Sequence, residues 1–598
     1  MLSRIRPAVA CAIVALAASS APAQPGAPKY PERWSYVSTP LTSEEWTVKT
    51  LQALETSKAT GCTHVLLVYS RTCRLHLPGN ETYLARVERV RRKAAELGLK
   101  LALCVLPTGY AGQYPFFDGN LLAGLPVKEM PFVVRGKRIV PDPEADLPIA
   151  NAGFEESEGD TLAGWANRTL PGKNSFADTA EKHSGKASWR VANLPEMRKV
   201  DRRRGGVALL SQKIKVKPFQ YYRVSYWTKA AGKLYPNGLT IASDKPMRGL
   251  IYSGIPIRRD KTGNVSTWTR AEVTFNTLTS EEITLSLGVV LRGGTAWFDD
   301  IQIAPAGPVL IVRREECPLT VTSADGKTAY QEGKDFKPLR DPVLCRKPFA
   351  GELDTKHDVP FELTDGSRIQ DGQKLLVSFY HAMLISWDQQ VLSLQAERVF
   401  EILAQDIKNA LKYWQPEGIF FNYDEIRMGG WEAQPDGQNL TPGQILAGHV
   451  RKACAVARKV APRAKLYTWS DMFTPYHNAR PFRAGKHVNG NYWLARGNWD
   501  GSWEGLDKDV IIMNWYSPDD RTPKFFAERG HKQILCGYYD QKTTEGMKKN
   551  IRKWIAVTRQ TPGVLGVMYT TWKKRSEPMR EYFKLLDTYA QWAAEPAK

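Results

Sequence analysis

The sequence predicts an α/β protein, a (β/α)8 TIM barrel interrupted by an inserted all-β sandwich. Three observations predict it. Short apolar runs alternate with amphipathic stretches of helical period near both ends of the chain. That rhythm stops from about residue 108 to residue 373, where Gly, Pro and strand-like segments take over. The apolar runs outside that interval supply the eight strands that close such a barrel. At 598 residues the chain also exceeds what one core usually organises.

Taking the elements in order, residues 1–23 read as a Sec signal peptide. Arg4 and Arg6 form its basic region, 7–18 its apolar stretch and Ala21-Pro22-Ala23 its A-x-A cleavage site. The mature protein is therefore expected to be exported, periplasmic or extracellular. No later segment is apolar for long enough to span a membrane.

The first barrel segment, 30–110, holds strands at 34–39 (WSYVST), 64–70 (HVLLVYS) and 99–107 (LKLALCVLP), with helices over 43–59 and 83–97. Residues 148–305 form the sandwich, and 306–373 an irregular β-rich connector. The second barrel segment, 374–595, supplies the fourth strand at 418–425 (GIFFNYDE). Four more follow at 465–473 (KLYTWSDMF), 510–517 (VIIMNWYS), 533–540 (QILCGYYD) and 563–572 (GVLGVMYTTW). Helices are expected over 397–414, 442–460, 544–558 and 577–592. The run at 375–381 (LLVSFYH) is surplus to eight and is read as an extension of the third unit. An open doubly wound sheet is the alternative fold, but no G-x-G-x-x-G follows the first strand.

The formal charge is +21, or +19 without Arg4 and Arg6, and it is spread along the chain without a long basic block. Export excludes nucleic acid as the partner, leaving an acidic polysaccharide or a solvated basic surface. Of eight cysteines, Cys11 leaves with the leader, and the rest contain no C-x-x-C pair and predict no metal site. Cys62 with Cys73, or Cys317 with Cys345, could bridge in an oxidising compartment. No Ser-His-Asp spacing, H-E-x-x-H or P-loop is present, so peptidase, metalloprotease and kinase chemistry are excluded.

In a barrel of this class the active site lies at the strand C-termini. Those positions are polar and aromatic here: Tyr69, Ser70 and Arg71; Tyr110; Tyr380 and His381; Asp424 and Glu425; Trp469, Asp471 and Met472; Asn514 and Trp515; Tyr538, Tyr539 and Asp540; Trp572. Aromatic faces stack on pyranose C–H surfaces, while carboxylates bind hydroxyls or move protons, so the pattern points to a sugar site. His381 and His477 stand near strand ends as further candidates for binding hydroxyls.

The insertion opens N-A-G-F-E-E at 151–156, continues with Gly164-Trp165 and H-S-G-K-A-S-W at 183–189, and closes W-F-D-D-I-Q-I at 297–303. It resembles the galactose-binding-like jelly rolls of carbohydrate-binding modules. The resemblance implies a possible structural calcium near Glu155 and Asp300, and a glycan ligand.

The barrel motifs from 418 to 574 resemble glycoside hydrolase family 20, the β-N-acetylhexosaminidases. The fourth strand ends in Asp-Glu, the fifth in W-S-D-M-F, the sixth in Trp, the seventh in Y-x-D and the eighth in Trp. The resemblance implies that Glu425 is the general acid/base with a raised pKa and that Asp424 stays ionised to polarise a substrate 2-acetamido group. It further implies that Tyr538 bonds that group's carbonyl and that Trp469, Trp515 and Trp572 wall the pocket. No cofactor is implied for catalysis.

The chain departs from the family at Phe421-Asn422-Tyr423 before the acid pair and at Lys574, where a Glu is usual. Arg71, Arg427 and Lys574 all follow strand ends, which suggests a sulfated or uronate-bearing sugar. Two other readings stay open: a retaining glycosidase with Asp540 as nucleophile, and a non-catalytic glycan-binding protein.

Overall fold

A computed structural model describes residues 30–592 except 39, 69–80, 106, 112–117, 201–205, 232–237, 244–249, 255–264, 291–292, 347–348, 350, 352, 386–388, 435–437, 480–493, 516–519, 541–542 and 573–576. The signal-peptide reading, Arg71 and Lys574 fall outside these residues.

Eight parallel strands close into a barrel. In chain order they are Glu32–Val37, His64–Leu67, Lys100–Val105, Gly418–Phe421, Lys465–Trp469, Ile511–Asn514, Gln533–Tyr538 and Val564–Thr570. The first and last pair with Trp34 opposite Met568, which closes the ring. Alternate residues point inward. Trp34, Tyr36, Leu66, Ala102, Cys104, Phe420, Tyr467, Trp469, Met513, Ile534, Cys536 and Met568 fill the interior, so it is a packed core and not a pore. Trp34 lies across one end, stacked on His64 at 4.4 Å.

The outer helices follow local rules. Glu44–Ala59 begins at Ser43, whose hydroxyl accepts the Trp46 N–H. Pro442–Val460 begins with a full capping box between Thr441 and Gln444. A helix follows each of the first four strands, the third only after the excursion, and each of the last three, the one after the sixth spanning only Arg521–Glu528. After the fifth, the described residues contain only the 3-10 turns Asp471–Phe473 and Ser502–Gly505.

Between the third and fourth strands the described residues make three five-stranded antiparallel sheets and a two-stranded ribbon of Ser157–Glu158 and Thr161–Leu162. Two five-stranded sheets form the sandwich-like unit, one around Tyr221–Ala231 and Thr295–Pro305, the other around Glu282–Val290 and Val207–Lys215. The strands alternate buried and exposed positions, as in Tyr221–Ala231, where Val224, Tyr226 and Thr228 point inward. The third sheet orders Ala329–Tyr330, Thr320–Ser323, Lys374–His381, Leu125–Arg135 and Arg138–Pro141.

Lys374–His381 therefore does not extend the third barrel unit. Its inward residues Leu375, Val377 and Phe379 pair it with Leu125–Arg135 as the middle strand of this separate sheet. Asn276 joins the units, its side-chain amide donating to Pro126 O at 2.9 Å and lying 3.1 Å from His381 Nε2. Cys317 and Cys345 are both free thiols, so that bridge is not formed. No helix among the described residues is long and apolar enough to cross a membrane.

Candidate active site at the barrel rim

Parallel strands deliver all their C-terminal ends to one rim. The fourth strand ends in a main-chain turn and does not continue as extended chain. Glu425 adopts φ +43°, the left-handed region that costs a residue with a Cβ about 1–2 kcal/mol. Four neighbours hold this turn. Thr108 N–H donates to Asn422 O at 3.1 Å. Gln389 Nε2 donates to Glu425 O at 3.2 Å. Glu425 N–H donates to Asp471 Oδ2 at 3.1 Å. Gly109 packs so closely that a Cβ there would stand 2.0 Å from Asp424 O.

The turn gives the two adjacent acids different surroundings. Glu425 Oε2 accepts the Tyr110 hydroxyl at 2.6 Å and the Arg427 guanidinium at 2.6 Å. Asp424 is half-buried and is pushed well above the ordinary carboxylate range. Loss of solvent is the main cause, the charges of Asp471 and Glu425 add to it, and Arg427 opposes. Asp471, 1% exposed, is pushed up to about 7, again chiefly by burial. Burial, followed by the charge of Asp424, raises the Tyr36 and Tyr110 phenols, so both remain hydrogen-bond donors at any ordinary pH.

This reverses one expectation. The sequence reading has Asp424 ionised, whereas burial and the neighbouring charges of Asp471 and Glu425 favour its protonated form; Glu425 is ion-paired with Arg427, two residues on.

Around the acids stands an aromatic wall. Trp469 is buried and meets Phe420 edge-on at 5.1 Å and Trp515 at 5.7 Å. Trp515 meets Trp572 at 5.2 Å and Tyr538 at 6.1 Å. Trp572, 41% exposed, also meets Tyr36 at 4.9 Å. Ser470 fixes Trp515 at both ends of its backbone, accepting its N–H at 2.9 Å and donating to its carbonyl at 3.3 Å. The strand-end residues Glu425, Asp424, Arg427, Asp471, Trp469, Trp515, Tyr538 and Trp572 thus share one rim.

Two candidates have other work. Asp540 accepts the Thr571 hydroxyl on one oxygen and the Trp572 N–H on the other, at 2.6 Å for the latter, tying the seventh strand end to the eighth. His381 is fully buried in the third sheet, stacked on Tyr221 at 3.9 Å and bonded to Asn276, so it is no part of the rim. Burial lowers its pKa to about 4 and keeps it neutral.

The residues proposed for calcium are also engaged: Glu155 accepts the Lys186 N–H at 2.6 Å, and Asp300 pairs with His183 at 2.6 Å. No group of three or more His, Cys, Asp or Glu among the described residues is placed to hold a metal ion. The turn's supports Gly109, Gln389 and Asn478 were not anticipated. Only Gly109, a glycine directly after a strand, carries a sequence signal of close backbone approach.

No protein-family model matches the chain, and no curated protein matches it. Among solved structures it is similar to a rhamnosidase from Novosphingobium sp. PP1Y at 12% identity, over 94% of this chain and 59% of that one, with a TM-score of 0.34. It is similar to a xylan-binding module of family 22 from Paenibacillus barcinonensis at 16% identity, over 26% of this chain and 90% of that one, with a TM-score of 0.19. A family 35 carbohydrate-binding module from Clostridium thermocellum matches at 14% identity, over 22% and 89%, with a TM-score of 0.16. With TM-scores this low, function has to be argued from the site.

Proposed function

We propose that the rim is the active site of a glycoside hydrolase. The observation that carries the reading is the different surroundings of two neighbouring acids, Asp424 pushed by burial towards its protonated form and Glu425 bonded to Tyr110 and Arg427, beside tryptophans packed at an angle to one another. Glycosidic cleavage needs one acid to protonate the leaving oxygen and one carboxylate to meet the positive charge that develops at the anomeric carbon. On this reading Asp424 is the proton donor. Glu425, oriented by Tyr110 and Arg427, is the anionic partner. If the sugar carries a 2-acetamido group, Tyr538 is the donor nearest the Trp515 wall to receive its carbonyl.

Asp540 is a poor nucleophile on this geometry, since hydrogen bonds engage both of its oxygens. Arg427 is engaged by Glu425, which leaves no described cation of the proposed set for a sulfate or uronate. Arg71 and Lys574 lie outside the described residues, and a neutral glycan is taken as the substrate class to be tested.

The test is a screen of the protein on chromogenic N-acetylhexosaminides, plain hexosides and sulfated glycans, repeated with Asp424→Asn and Glu425→Gln. Both variants should lose turnover by at least about 100-fold while still quenching tryptophan fluorescence with ligand. Turnover of sulfated glycans alone would overturn the neutral-substrate assignment. Binding without turnover in the parent protein would make the rim a glycan-binding site and not a catalytic one.

A further inference from the structure

We infer that Asp471 is a positioning residue for the acid pair: its buried carboxylate holds the left-handed turn at Glu425 that brings both acids to one rim. The inference rests on the reading of that pair as the reacting groups. In an extended strand, neighbouring side chains leave on opposite faces, so an Asp-Glu sequence would send one acid inward and the other outward. The turn at Glu425 breaks that alternation, and a residue with a Cβ holds φ +43° only where its surroundings enforce it.

Among the described residues Asp471 supplies the side-chain acceptor of the Glu425 N–H, through Oδ2 at 3.1 Å. The same oxygen accepts from Asn478 Nδ2 at 3.1 Å, and Asn478 N–H donates back to Asp471 O at 2.9 Å. The side-chain amide of Asn478 thus orients the carboxylate, and its main-chain N–H ties the two residues together. Asp471 Oδ1 is buried and has no hydrogen-bond partner among the described residues. One oxygen thus holds the turn and Asn478, and the carboxylate as a whole lies close to the acid pair.

That charge has a second effect. Asp424 faces Asp471, Glu425, Arg427, Tyr36, Tyr110 and Cys104. Of these, Asp471 is the nearest anion in influence, and Arg427 alone opposes it. Removing the Asp471 charge lowers the pKa of Asp424, so a rate that requires protonated Asp424 falls off at lower pH.

Three variants test this. Asp471→Ala removes acceptor and charge, and should lower kcat about 100-fold with KM little changed, the effect of misplacing a reacting group by about 1 Å. Asp471→Asn keeps an acceptor oxygen, and should recover most of that loss while moving the alkaline limb of the pH profile down by about one unit. Asn478→Ala should fall between them with the limb unmoved. Amide hydrogen exchange of the peptide containing Glu425 needs no substrate. Asp471→Ala should speed exchange there at least about tenfold, with global melting little changed. Unchanged Glu425 protection in Asp471→Ala would overturn the positioning role whether or not the protein proves to be a glycosidase. A kcat loss that Asp471→Asn fails to rescue, with no shift of the limb, would reduce Asp471 to a packing residue.

Discussion

Replacing Gly109 by alanine tests the construction of the rim most directly. The backbone at Gly109 is not in the left-handed region, so alanine carries no conformational penalty there and the effect is purely steric. The new Cβ would stand 2.0 Å from Asp424 O, 3.2 Å from Asp424 C and 3.3 Å from Glu425 C. All three atoms are main chain, so no side chain can swing away. Restoring ordinary contact needs a movement of about 1.4 Å, which would displace the turn carrying both acids. Overpacking of this kind costs about 1–3 kcal/mol, and a shift of about 1 Å at reacting groups costs about 100-fold in rate. Steady-state kinetics and urea unfolding of Gly109→Ala measure the two separately. A variant that keeps kcat/KM within about threefold of the parent, with an unchanged unfolding midpoint, would refute the account of how the turn is held.

The remaining predictions concern charge. Arg427→Met should lower kcat/KM by about 10- to 100-fold, since a hydrogen bond to a charged group contributes about 1.5–3 kcal/mol and Arg427 is only 12% exposed; steady-state kinetics on the screened substrate check this. Arg314→Met leaves Glu432 as a buried charge without its cation and should destabilise by about 3–5 kcal/mol in urea, whereas removing the exposed Lys137–Asp365 pair should leave the unfolding midpoint unchanged. His381 has a folded pKa of about 4, below its unfolded value, so the unfolded chain takes up its proton first as pH falls. Its contribution to stability is complete above the unfolded pKa and should weaken by about 2 kcal/mol from pH 7 to pH 5, and His381→Asn should flatten that slope in urea titrations.

The barrel was legible because its evidence is local. Runs such as Val65 to Leu67 and Ile511 to Met513 are buried on both faces, and the sequence shows them as unbroken apolar stretches between amphipathic helices. Lys374–His381 looks the same in sequence, yet it belongs to another sheet, because pairing partners are set by tertiary contacts that apolarity does not record. The rim acids were likewise legible as unexplained polarity at strand ends. Their protonation was not. It depends on Arg427 reaching Glu425, on Tyr110 arriving from the third strand and on Asp471 lying close to Asp424, none of which adjacency in sequence conveys.

The position of the insertion explains how so much like charge is kept at one rim. The excursion leaves after the third strand and returns before the fourth, and its two ends clamp the loops that carry the site. Ala111 N–H donates to Gln390 O, Leu392 N–H donates to Thr108 O, and Gln389 holds the carbonyl of Glu425 itself. Beyond the acids, Glu432 accepts Gly124 N–H at 3.0 Å and the Ser393 hydroxyl at 2.7 Å, and pairs with Arg314 of the connector. Raised carboxylates weaken the folded state as they ionise, because burial and mutual repulsion resist their charge. The excursion thus supplies Gln389 to the turn at Glu425 and ties Thr108, another of the turn's supports, to Leu392 on the returning chain.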